Sequence, residues 1–167
     1  MGLTEHHGGA GESAMADGTC RPIRLLVAED NAMMRTAIRS VLADQTDLRV
    51  VGEATDGSEA TALTEDLLPD VIVMDINMPR MNGIEAARYI KIHFPRIAIL
   101  GLSVNADEYR NTMLEVGATA VIQKETMHEL HGAIRVAVQE ARRLRGTAST
   151  GELKSISEPP AAVRTVR

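Results

Sequence analysis

The sequence predicts a doubly wound α/β fold on a five-stranded parallel sheet, and three observations carry that prediction. Short aliphatic runs alternate with helical apolar stripes through five rounds. The runs are continuous rather than alternating in polarity, as strands covered on both faces should be. Four of the five lead into polar residues, at the strand ends where open parallel sheets collect their functional groups.

Each element has its own justification. IRLLVA at 23–28 is the first strand. Met34, Ala37, Ile38, Val41 and Leu42 then fall at i, i+3, i+4, i+7 and i+8, one stripe of a helix that Asp30 or Asn31 could cap. LRVVGE at 48–53 is the second strand, and a helix led by Gly57 runs to about 68, where Pro69 stops it. DVIVMD at 70–75 is the third strand. A helix over 83–94 is stopped by Pro95, IAILGLS at 97–103 is the fourth strand, and a helix over 107–116 is ended by Gly117. TAVIQ at 119–123 is the fifth strand. The last helix begins near Glu125, with Met127, Leu130, Ile134, Ala137, Val138 and Ala141 at helical spacing. Right-handed crossovers would put helices on both faces.

Composition sets the limits. A chain of 167 residues suits one compact domain with tails. Residues 1–21 are rich in Gly, Ala and Ser and read as a disordered leader, 22–145 as the domain, and 146–167, with a Pro-Pro pair, as a disordered tail or linker. The chain is 44% hydrophobic but has no Trp, one Phe and two Tyr, so its core must be aliphatic. A net charge of -5 argues against a broad nucleic-acid-binding face, and no direct DNA binding is expected. Cys20 has no partner for an internal disulfide, and His6 and His7 are too few for a closed metal site. There is no signal-peptide pattern and no apolar stretch long enough for a membrane span, so a soluble cytoplasmic protein is expected.

The polar strand ends suggest chemistry. Glu29 and Asp30 follow the first strand, Asp75 ends the third, Ser103 ends the fourth, and Lys124 follows the fifth. A parallel sheet points them all at one rim. Three clustered carboxylates repel unless a cation sits among them. Few carboxylates, with the remaining positions left to water, a main-chain carbonyl and phosphate oxygen, are the habit of Mg²⁺. A phosphoryl group on Asp75 would bring three acceptor oxygens, to be met by the metal, the Lys124 ammonium and the Ser103 hydroxyl. Asp75 would be the nucleophile, forming an acyl phosphate.

These residues resemble the receiver domain of two-component response regulators, over about 22–143. The resemblance rests on Glu29-Asp30, on Asp75-x-Asn77-Met78-Pro79 with Gly83 eight residues after Asp75, on Ser103 and on Lys124. It implies the (βα)5 flavodoxin-like receiver fold and Mg²⁺-dependent phosphoryl transfer to Asp75. The donor would be a sensor histidine kinase or a histidine phosphotransfer protein. It further implies that Asp30, Asp75 and the main-chain carbonyl of Asn77 bind the metal, that Glu29 acts through a metal-bound water, and that Ser103 and Lys124 contact the phosphoryl group. An output partner, which the residues do not name, would read a surface over 104–116 and 119–140, and a phosphorylation-dependent homodimer is compatible with the same surface. GEATDG, MDINMPRMNGIEAAR and LSVNADE resemble the subgroup that usually carries a LuxR-type helix-turn-helix, for which this chain shows no sequence.

Three positions depart from the family pattern. Val121 stands where many receivers have Tyr or Phe, Glu125 stands where proline usually follows the lysine, and Val104 is bulkier than the small residue common after Ser103. The last predicts slow spontaneous dephosphorylation. Two other functions compete: a partner-binding pseudo-receiver, and an aspartyl-phosphate phosphatase of the haloacid-dehalogenase type. The phosphatase needs a second acid two residues after the nucleophile, where this chain has Asn77, which cannot act as a general acid.

Overall fold

The computed structural model describes residues 21–148, in which five strands and five α-helices alternate. They are β1 (Ile23–Ala28), α1 (Ala32–Leu42), β2 (Leu48–Ala54), α2 (Gly57–Leu67), β3 (Val71–Asp75), α3 (Gly83–His93), β4 (Ala98–Ser103), α4 (Ala106–Glu115), β5 (Ala120–Gln123) and α5 (Leu130–Ala148). The strands form one parallel sheet in the order β2-β1-β3-β4-β5. The order reverses between β1 and β3, which opens a crevice at the carboxyl ends of those two strands.

Two cores, one on each face, explain why the strands lack alternation. Along β3, Ile72 and Met74 join a cluster with Ala60 of α2, Ala86 and Ile90 of α3 and Met113 of α4. Val71 and Val73 join the opposite cluster, with Ile38 and Leu42 of α1 and Leu130 and Ile134 of α5. Every residue of β3 is buried. The largest fully buried side chains are Leu, Ile and Met, as the shortage of aromatics requires.

The structure differs from the sequence reading at three places. The helix expected from Glu125 opens as a 3-10 segment, Lys124–Glu129, kinked at Thr126, and α5 starts only at Leu130. Gln123 offers no side-chain cap, and Lys124 is held back toward the sheet by the carboxylates described below, so a tight turn precedes the regular helix. At its other end α5 runs to Ala148, past the boundary read at 145. Arg21, read as part of the leader, forms a two-pronged ion pair with Asp70 at 2.9 and 2.8 Å. The readings for 1–20 and 149–167 lie outside the described residues. Among the described residues, no helix is long and apolar enough to cross a membrane.

Candidate functional site

The crevice is built by strands that stop at the same level. The Glu29 N–H continues the β1 ladder by donating to the Ala54 carbonyl at 3.0 Å, which keeps Glu29 fully buried. Asp30 lies one step further and is exposed. The capping of α1 falls to Asn31, whose Oδ1 accepts from the Met33 and Met34 N–H groups at 2.9 and 3.2 Å. The Asp30 carboxylate is thereby left free of helix capping. Asp75 ends β3 opposite Leu102 and is 3% exposed. The Asn77 N–H donates to its Oδ1 at 3.2 Å.

Lys124 reaches this crevice from the end of β5. Its Nζ lies 2.8 Å from Glu29 Oε2 and 3.0 Å from Asp75 Oδ2. Oxygens of Glu29, Asp30 and Asp75 all lie within 4.8 Å of one another. Ser103 ends β4, on the far side of β3 from β1, and is fully buried. Its Oγ accepts from the Asn105 N–H at 3.0 Å, which leaves the hydroxyl hydrogen free to donate.

Charge in the crevice is out of balance. Burial pushes the Glu29 carboxyl above its ordinary value, Lys124 opposes that shift, and the Asp75 charge adds to it. Burial pulls Lys124 down, but contact with Glu29 and Asp75 outweighs it and leaves the ammonium above its ordinary value. Three carboxylates thus share one ammonium. The Glu29–Lys124 contact is ionic rather than a well-directed hydrogen bond. Glu29 Oε2 is the one buried side-chain polar atom among the described residues that lacks a hydrogen bond. Three carboxylates gathered around one ammonium leave the cluster short of positive charge, which fits a hard dication with oxygen ligands.

Asp56, Arg80 and Arg35 escaped the sequence reading, as did the contact that requires glycine at 83. A Cβ on Gly83 would sit 2.1 Å from the Asp75 carbonyl oxygen, so only glycine lets α3 start so close beneath the acceptor residue. The Gly83 N–H also donates to the Ile76 carbonyl at 2.9 Å. Between them Arg80 adopts a left-handed φ of 65° and pairs with Asp56, its Nε donating to Oδ2 at 2.6 Å. Asp56 also caps α2 by accepting from the Glu59 N–H at 2.8 Å. The loop after Asp75 is thereby tied to α2. Arg35 of α1 donates from Nη1 to the main-chain carbonyls of Glu29 and Asp30 at 2.8 and 3.1 Å. Arg80 and Asp56 are 24 residues apart, and Arg35 bonds main-chain carbonyls, so neither pairing leaves a periodic signal. The Gly83 spacing was noted, but the contact that requires glycine was not legible.

Comparison with known proteins gives the family. The family model for the response regulator receiver domain matches residues 25–135. The chain belongs to that family. This receiver is 38% identical over 104 residues to the transcriptional regulatory protein DegU of Brevibacillus brevis, covering 62% of this chain and 44% of that one. It is 37% identical over 134 residues to a protein-glutamate methylesterase/protein-glutamine glutaminase of Pyrococcus abyssi, covering 75% of this chain and 36% of that one. It therefore spans less than half the length of these curated relatives. The crystal structure of the response regulator domain of Thermotoga maritima CheB aligns with a TM-score of 0.67 and 36% identity, over 71% of this chain and 98% of that one. The two-component response regulator of the LuxR family from Aurantimonas aligns at 0.68 with 28% identity, over 71% and 86%.

The departures at 121 and 104 have visible surroundings. Val121 is buried beside Gly101, where a Cβ would lie 3.0 Å from Met113 Cε and 3.4 Å from Val121 Cγ2. Methionine and valine fill that space in this receiver. Val104 is 53% exposed at the start of the β4–α4 turn.

Proposed function

We propose that this receiver accepts a phosphoryl group on Asp75 from the phosphohistidine of a sensor histidine kinase or a histidine phosphotransfer protein. The observation that carries the reading is the gathering of three carboxylates within 4.8 Å, with Lys124 3.0 Å from the acceptor. An Asp75 carboxylate oxygen attacks phosphorus, the P–N bond breaks, and its electron pair returns to the imidazole nitrogen. The acyl phosphate then presents oxygens to the Lys124 ammonium and to the free hydrogen of Ser103. Asp30, Asp75 and the Asn77 main-chain carbonyl would hold Mg²⁺, with Glu29 acting through a bound water. When bound, the ion neutralises charge on phosphoryl oxygens that a single lysine cannot offset.

The same two contacts supply the switch. Ser103 holds the β4–α4 turn through Asn105, and Lys124 opens the segment between β5 and α5. Drawing both toward the phosphoryl group biases the surface of α4, β5 and α5, which an output partner or a second copy of the chain would read. The reaction would take place in the cytoplasm. Val104 beside the site is expected to slow water attack, and a phosphoryl half-life of seconds in Mg²⁺ buffer would contradict that.

Incubation with acetyl phosphate and Mg²⁺, followed by intact-mass measurement, tests the proposal. A stable phosphoryl adduct that disappears in Asp75→Asn supports it. Continuous phosphate release would favour the phosphatase, and an unmodified chain would favour the partner-binding pseudo-receiver.

A further inference from the structure

We infer that Arg35 is a positioning residue for the acidic pocket, fixing the main chain of Glu29 and Asp30 so that their carboxylates present to a divalent cation. The inference rests on the phosphoacceptor reading above. Arg35 is 18% exposed, so most of its side chain is committed to the protein. One end of its guanidinium meets the carbonyls of the two acidic residues at 2.8 and 3.1 Å. At the other, its Nε lies 3.3 Å from Glu53 Oε2, while Arg39 Nη1 holds Glu53 Oε1 at 2.8 Å. Glu53 stands in β2 directly opposite Val27 of β1. A rigid fork on α1, braced from the neighbouring strand, thus clamps the β1–α1 turn.

Two features separate this from a general stabilising contact. The start of α1 is already capped by Asn31, and its inner face is already packed through Ile38 and Leu42. Arg35 also bonds carbonyls and leaves the carboxylates alone, so it adds positive charge near the pocket without occupying lone pairs a metal would use. Lys124, by contrast, lies directly against two of the acids. Lysine at 35 would keep the charge but could not span two carbonyls and Glu53 with a planar fork.

Groups that orient metal ligands typically contribute about 10- to 100-fold to metal affinity. The test measures Mg²⁺ binding by calorimetry in wild type, Arg35→Gln, Arg35→Lys and Glu53→Gln, with metal-free thermal unfolding and the Mg²⁺ dependence of phosphorylation by acetyl phosphate. The Mg²⁺ dissociation constant should rise about tenfold or more in both Arg35 variants, and by less in Glu53→Gln. Half-maximal Mg²⁺ for phosphorylation should rise in parallel, while the plateau at saturating Mg²⁺ is retained. An unchanged dissociation constant in Arg35→Gln, or a plateau that stays depressed at saturating Mg²⁺, overturns the inference. Should the Arg35 variants fail to fold, Glu53→Gln decides, and unchanged Mg²⁺ binding there is equally fatal. A wild type that binds no Mg²⁺ overturns the phosphoacceptor reading as well, whereas normal wild-type behaviour with unaffected variants overturns only the role of Arg35.

Discussion

Lys124 faces two carboxylates, one of which, Glu29, has no exposure to water. Removing the ammonium leaves a buried charge without its partner, and breaking a buried pair in this way typically costs about 3–5 kcal/mol. Lys124→Met should therefore lower stability in urea by about 3 kcal/mol, the smaller figure because the lysine side chain is 13% exposed. Added Mg²⁺ should recover part of that loss; a variant as stable as wild type would mean that Glu29 is protonated or otherwise satisfied. Gly83→Ala tests a different kind of fit. All three atoms nearest the added Cβ are backbone, the first of them the Asp75 carbonyl oxygen at 2.1 Å, so no side chain can swing aside. Overpacking of this sort costs roughly 1–3 kcal/mol, and the displaced Asp75 should be phosphorylated more slowly, both readable in one preparation. The meeting of Asp75 with Lys124 was legible in sequence because parallel strands must end at one rim. Arg35 was not, since its bonds end on main-chain carbonyls that no residue type announces.

The central strands were readable as elements because they are covered on both faces, and β3, with Ile72 and Met74 in one core and Val71 and Val73 in the other, shows why the runs are continuous. The start of α5 was not readable, because Met127 keeps helical apolar spacing with Leu130 although it belongs to the 3-10 segment that precedes the regular helix. The start of α2 carries a testable electrostatic feature. Asp56 accepts the Glu59 N–H and pairs with Arg80, and these two contacts, in that order, hold its carboxyl below the ordinary carboxylate value. A lowered folded-state value contributes stability that is present above the unfolded value of 3.8 and is lost as pH falls through the folded value. Asp56→Asn keeps the cap but removes the titrating charge. Thermal midpoints of wild type and variant should therefore differ most near neutral pH and converge as pH falls below 3.8 and through the folded value. A constant difference across that range would assign the effect to capping geometry alone.

Across the whole molecule, the acidic crevice links β1, β3 and the exit of β5, so its repulsion acts on the sheet as a unit. Asp30 is the exposed member of the cluster, and α1 is capped without it. Two unit charges within the 4.8 Å found here repel by about 1 kcal/mol even in a water-like medium. Asp30→Asn removes that repulsion toward Glu29 and Asp75 and gives up only its more distant attraction to Lys124. The metal-free variant should therefore be at least as stable as wild type. Metal reverses the ranking. An ion that binds only the folded state adds about 2.7 kcal/mol at a hundred times its dissociation constant, and wild type should gain this with Mg²⁺ while Asp30→Asn gains little. Urea unfolding in EDTA and in saturating Mg²⁺ gives all four values. A crossing of the two proteins between the conditions would mean that the third carboxylate is kept at a cost to the empty fold because the loaded one needs it. If Asp30→Asn gained as much from Mg²⁺ as wild type, the ion would have to be held by the two buried acids alone.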